Sequence, residues 1–159
     1  MQHEGAIVAP PFLSIQSNLY ETRYKNMPPL PTSVKSLEIP INLQTTTSGT
    51  QFILFQDNTI GILIAGSNSN LKILSRAPQV DIDGTFNVVA KLYQLFTRHV
   101  FIYQKQFPVV FAILANKQSD TYARCFRAIR DAVAKENLIW NPEIKLKLNN
   151  YSNNYSITY

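Results

Sequence analysis

Asp81 and Asp83 stand two residues apart in Val80-Asp-Ile-Asp-Gly-Thr-Phe86. On a strand, positions two apart project from one face, so this segment would present two carboxylates side by side. Such a pair suits a hard cation such as Mg²⁺, which prefers oxygen ligands and takes one or two protein carboxylates. An ion held there could activate water or stabilise a phosphoryl transition state. The plainer alternative is a strand that breaks at Gly84 into an Asp-Gly turn, where aspartate is common. His99 shares its strand face with Thr97 and Phe101 and has no second histidine nearby, which reads as a packed, hydrogen-bonded imidazole. Cys125 falls beside Tyr122 and Ile129 on a helical face, as a small core residue would. Trp140 and the aromatics between 86 and 111 also read as core. No G-x-S-x-G, Walker loop or G-x-G-x-x-G occurs.

A second set is basic. Arg98, Lys105, Lys117, Arg124, Arg127 and Arg130 could line a face for a phosphate backbone, with affinity that falls as salt rises. A solvated helix face needs the same residue types, and Arg127 with Asp131 makes an ordinary (i, i+4) pair.

The elements that must carry these residues are legible from about Gln51. Gln51–Phe55 and Ile60–Ala65 are β-branched and aromatic runs separated by the turn pair Asp57-Asn58, which predicts a hairpin. Ser69-Asn70 could cap a short helix through Arg76, ended by Pro78. Val80–Phe86, Tyr93–Tyr103 and Phe107–Ala115 follow as strands, the last two joined by a turn at Gln104-Lys-Gln106. A helix capped by Ser119 or Asp120 comes next, with Tyr122, Phe126, Ile129 and Val133 as its apolar stripe. Ile144, Leu146 and Leu148 could form one last strand. The predicted class is α/β (α+β), with three antiparallel strands followed by a helix and a small hairpin-plus-helix region before them. Such a sheet is expected to end on an unpaired edge, an aggregation liability.

Flanking composition sets the boundaries. Prolines 10, 11, 28, 29, 31 and 40 interrupt every early apolar stretch, so residues 1–45 read as linker with at most a turn of helix around Leu19–Lys25. Residues 46–142 form the domain. Residues 143–159 end in Asn149-Asn-Tyr-Ser-Asn-Asn-Tyr-Ser156, which offers no core.

The chain has 159 residues and a formal net charge of +5. Residues 1–90 hold 5 basic and 6 acidic residues, and residues 91–159 hold 10 and 4, so the excess lies in the second half. One cysteine excludes an internal disulfide framework and a cysteine-based zinc site. The longest apolar run, Val109–Ala115, is too short to span a bilayer, and no secretory signal is visible. An intracellular, reduced setting without a membrane partner is the expectation.

Two families bear on the aspartates. Asp81-Ile-Asp-Gly-Thr85 resembles the D-x-D-G-T signature of haloacid-dehalogenase-like phosphatases, which would make Asp81 a nucleophile and Asp83 a general acid/base with Mg²⁺. A longer resemblance is to Mutator-like element transposases. It rests on Ile82-Asp-Gly-Thr-Phe-Asn-Val-Val89, Tyr93-Gln-Leu-Phe-Thr-Arg-His99, Pro108-Val-Val-Phe-Ala-Ile-Leu-Ala-Asn-Lys117 and Thr121-Tyr-Ala-Arg-Cys-Phe-Arg-Ala128, with Asn70-Leu-Lys-Ile-Leu-Ser75 upstream. These pieces occur in family order and spacing between Leu30 and Pro142.

The transposase resemblance implies a partial ribonuclease-H-like core and a DDE-type, Mg²⁺-dependent site for DNA strand cleavage and transfer, with Asp83 as the first catalytic, metal-binding carboxylate. It implies DNA as partner, association with an intact transposase, no small-molecule substrate and a nuclear location. The family's second Asp should follow the strand after Asn141-Pro142, where this chain reads Ile144-Lys-Leu-Lys-Leu-Asn-Asn150. Glu143 precedes that place. Two-metal chemistry needs several carboxylates, so the sequence predicts a truncated, inactive transposase-derived protein. The alternative is a co-opted binding module that uses the basic 91–135 region.

Overall fold

Asp57 organises the first hairpin. Its Oδ1 accepts hydrogen bonds from the Thr59 and Ile60 N–H groups at 3.0 and 3.3 Å, and the Gly61 N–H donates to the Asp57 carbonyl at 2.9 Å. Gly61 takes φ +75°, and a Cβ there would lie 2.5 Å from that of Ala115, so glycine is required on two counts. The flanking runs pair antiparallel as β1 (Ile53–Asp57) and β2 (Ile62–Ala65). The computed structural model describes residues 12–25, 28, 31–86, 94–140, 143–146 and 155–156.

Helices are numbered in chain order: α1 is Phe12–Lys25, α2, which follows β2, is Asn68–Arg76, and α3 is Ser119–Lys135. The side chain of Ser67, two residues ahead of the expected Ser69, caps α2 by accepting from the Asn70 N–H at 3.2 Å. Strands β3 (Gln79–Phe86), β4 (Gln94–Ile102) and β5 (Lys105–Leu114) follow in antiparallel order. The expected break at Gly84 does not occur. Pairing runs through Gly84↔Phe96 to Phe86↔Gln94, because β4 supplies a partner for every residue from Val80 to Phe86.

The β4–β5 turn is tighter than Gln104–Gln106. Ile102 pairs with Lys105, so the loop is Tyr103-Gln104 alone, with φ +48° and +63°. Two successive positive φ values are what a two-residue hairpin matching strand twist requires. Neither residue is glycine. Pro108 lies at a register shift between Arg98 and His99, in the stretch of β5 that β2 does not reach. A residue without an N–H is tolerated there.

Strands β6 (Glu143–Leu146) and β7 (Tyr155–Ser156) complete the sheet in the order β1-β2-β5-β4-β3-β6-β7. The first five are antiparallel; β6 lies parallel to β3. Where an unpaired edge was expected, β6 pairs with Gln79–Ile82, the first half of β3. The hairpin is also no separate region, because β2 joins β5 and makes it part of the sheet.

One sheet face carries Ile62, Ile64, Val80, Ile82, Phe96, Val100, Val110, Ala112 and Leu114, all buried. Against them pack Leu71 and Leu74 of α2 and Cys125, Ala128, Ile129, Ala132 and Val133 of α3. Tyr122 and Phe126 of the expected stripe are only partly buried, and Phe96 meets both rings at centroid distances of 5.7 Å. At its C-terminus, α3 closes with Asn137 at φ +56°. The Asn137 N–H donates to Ala134 and the Leu138 N–H to Val133, a Schellman arrangement that leaves Leu138 against the core.

Three further expectations change. Phe101, Tyr103 and Phe107 are exposed at the hairpin tip, not core. The chain divides into units Met1–Leu30 and Pro31–Tyr159, so the boundary falls at 30/31 and the main unit takes in part of the expected linker. Val34, in a 3-10 turn at Val34–Ser36, is buried in the main unit. In the first unit the helix spans 14 residues instead of one turn.

Candidate functional site

Alternation along β3 separates its side chains. Val80 and Ile82 enter the helix-covered core, so Asp81 and Asp83 project from the opposite face, as their spacing predicts. Across the ladder Asp81 partners His99 and Asp83 partners Thr97, which places all four residues on that face. The Thr97 hydroxyl donates to the Asp83 carbonyl at 3.4 Å.

The two carboxylates have different surroundings. Asp81 is 1 % exposed; the Gln79 amide donates to its Oδ1 at 3.0 Å and the Gln106 amide to its Oδ2 at 3.4 Å. Both oxygens are engaged by neutral donors. Asp83 is half-buried, and its Oδ1 is shielded from solvent without a hydrogen-bond partner among the described residues. An acceptor in that state is suited to a cation or a proton donor.

His99 departs from the expected satisfied core histidine. Its Nδ1 is buried with no hydrogen-bond partner among the described residues. Burial holds its pKa below the ordinary 6.5, while Asp83 and then Asp81 pull it upward. The missed signal was the register. Residues 81 and 99 look unrelated until the Tyr103-Gln104 turn fixes which positions of β3 and β4 face each other.

Among the described residues, no group of three or more His, Cys, Asp or Glu gathers where it could hold an ion. Leu146 partners Ile82, so the C-terminal end of β6 reaches the neighbourhood of Asp83. The sequence continues Lys-Leu-Asn-Asn, without a carboxylate. Glu143 partners Gln79 instead, four positions along β3 from Asp83, or about 13 Å at strand rise.

The basic residues do not share one surface. Arg98 is fully buried on the core face, opposite Ile82, with its guanidinium carbon 4.4 Å from the Phe126 ring centroid and 4.7 Å from that of Trp140. It is a core cation held by two aromatic rings, which corrects its placement on a phosphate-binding face. Lys105 is exposed at the hairpin tip, and the length of β5, about 30 Å, separates it from the chain entering α3. Lys117, Arg124 and Arg127 do lie close in sequence around the start of α3 and are exposed. Arg124 lies 4.0 Å from Asp57 and over the Phe55 ring. Asp131 lies 4.0 Å from Arg130, not paired with Arg127 as expected.

The α3 start is fixed by a residue the sequence did not single out. Asn116 Oδ1 accepts from the Gln118 N–H at 2.9 Å and from the Thr121 hydroxyl at 2.7 Å, while Gln118, not Ser119 or Asp120, is the N-cap. Beside this corner, Lys35, Thr59, Ile60, Asn116, Gln118, Asp120, Thr121, Ala123, Arg124 and Arg127 line a cavity of about 470 Å³. None of the helices among the described residues is long and apolar enough to cross a membrane. Comparison of the chain with protein-family models, curated proteins and solved structures found no match.

Proposed function

We propose that this chain is a transposase-derived protein of the Mutator-like type, with a ribonuclease-H-like core, that contacts DNA without cleaving it. The observation that carries the reading is β6. The resemblance requires a strand after Asn141-Pro142 whose end meets Asp83, and β6 runs parallel to β3 with Leu146 beside Ile82. The order of three antiparallel strands, a helix and that strand agrees with it.

The resemblance assigns Asp83 to the catalytic set, and where it expects the second carboxylate the chain reads Ile144-Lys-Leu-Lys-Leu-Asn-Asn150, with none. One carboxylate does not hold two ions about 4 Å apart. Mg²⁺ therefore belongs to the family chemistry, and DNA contact falls to the basic residues near α3. Plasmid DNA incubated with the purified chain and Mg²⁺ or Mn²⁺ should stay supercoiled, while a labelled duplex should be retained at low salt and released as salt rises. Metal-dependent nicking lost in Asp83→Asn would overturn the non-cleaving reading. Absence of DNA retention at low salt would remove the DNA partner.

A further inference from the structure

We propose that the cavity between Lys35, Arg124 and Arg127 is a binding site for a phosphate group, presented by a nucleic-acid strand or by a free nucleotide. It deepens the DNA reading above by naming the contact, but it stands on the cavity and not on Asp83.

Two elements bring the cations together. Lys35 comes from the 3-10 turn that precedes β1, and Arg124 and Arg127 come from successive turns of α3, three apart on one helix face. The Gly61 turn lies beside Lys35: a Cβ on Gly61 would lie 3.2 Å from Lys35 Cγ, and the Ala115 N–H, at the end of β5 that leads into α3, donates to the Gly61 carbonyl at 2.9 Å. Sequence alone gave no reason to group Lys35, in the expected linker, with the α3 arginines.

The lining chemistry favours an anion. Three cations face one carboxylate, Asp120, within the lining, with Asp57 beside Arg124 at 4.0 Å. Thr59, Asn116, Gln118 and Thr121 add neutral polar groups. Guanidinium groups present planar forks of donors that match phosphate oxygens. A volume of about 470 Å³ exceeds what a bare phosphate fills and falls in the range of pockets that hold small organic ligands. Ile60 and Ala123 give it an apolar side against which a sugar or base could rest.

The sheet separates this cavity from the carboxylate face. Arg124 and Arg127 belong to the helix packed on the core side, and Asp83 projects from the other. Repulsion from Asp81 and Asp83 therefore does not oppose an anion bound here.

The test uses the full chain and two probes, adenosine 5′-monophosphate by calorimetry and fluorescein-labelled dT12 by polarisation, both at low salt. Arg127→Glu should weaken whichever probe binds by about ten-fold or more, given the strength of charge-assisted hydrogen bonds. Lys105→Glu, the same charge change at the far end of the sheet, should alter it less than two-fold. Circular dichroism melts of both variants check that the fold is kept, and Arg127→Lys should restore part of the loss. Binding of the mononucleotide identifies a nucleotide pocket, and binding of dT12 alone identifies a backbone contact; either supports the site. Equal losses in Arg127→Glu and Lys105→Glu would overturn the cavity while leaving DNA contact intact. Failure of both probes to bind would overturn it outright. Mononucleotide binding without dT12 binding would keep the cavity and remove the DNA reading.

Discussion

Arg98 and His99 are neighbours in sequence with opposite fates. Strand alternation sends Arg98 into the core between Phe126 and Trp140 and His99 to the carboxylate face. A charged residue in an apolar strand reads as exposed, and nothing local announces that two rings will receive it. Arg98→Ala should therefore destabilise the chain by about 2–4 kcal/mol through lost ring contact and packing, measured by urea unfolding. Arg98→Met, which keeps the bulk, should recover part of that loss. For His99, burial favours the neutral ring, so the unfolded chain takes up a proton near 6.5 while the folded chain resists it. Its contribution to stability is present above 6.5 and is lost as pH falls through the lowered folded value. Asp83→Asn removes the stronger upward pull and should lower the His99 pKa further, which the Cε1–H resonance followed against pH will show. An unchanged midpoint would separate the two residues. Cys125, whose pKa burial pushes up to about 12 against the opposing charge of Arg98, should resist iodoacetamide at pH 8 until the chain unfolds.

At the scale of elements, β1 through β5, α2 and α3 were legible because each carries its own signal. The first hairpin has the Asp57 turn, the strands have β-branched and aromatic runs, and α3 has a 3.6-residue period. Helix α1 was not, since Phe12–Lys25 shows no sustained apolar stripe. The partner of β6 was hidden as well: four residues, Glu143–Leu146, carry no mark that says they will lie parallel to β3. The caps fall at small offsets, Ser67 for Ser69 and Gln118 for Ser119 or Asp120, because several polar residues compete for each helix start. The β4–β5 turn offers the clearest test. Gln104 occupies φ +63°, a region that disfavours a side chain by about 1 kcal/mol, so Gln104→Gly should stabilise the hairpin by about that amount in thermal or urea unfolding. Gly61→Ala should do the reverse, costing about 2 kcal/mol or more, because it meets both the positive φ and the Ala115 Cβ.

At the scale of the main unit, the sheet separates Asp81 and Asp83 from Arg124 and Arg127. The sequence showed the charge excess in residues 91–159 but not its side, because side is decided by strand register and by which face the helices choose. Photocrosslinking to bromodeoxyuridine-substituted DNA should mark residues 117–127 and spare β3, as peptide mapping by mass spectrometry would read. Adducts on Gln79–Phe86 would mean that the polyanion approaches the carboxylate face instead. The β6 parallel pairing adds a further consequence. β6 is four residues long and pairs with Gln79–Ile82 of β3, so the ladder between them stops one residue short of Asp83. Among the described residues, Asp83 therefore takes a strand neighbour on one side only, Thr97 of β4, and a ligand could approach its carboxylate along the rim of the sheet as well as across its face.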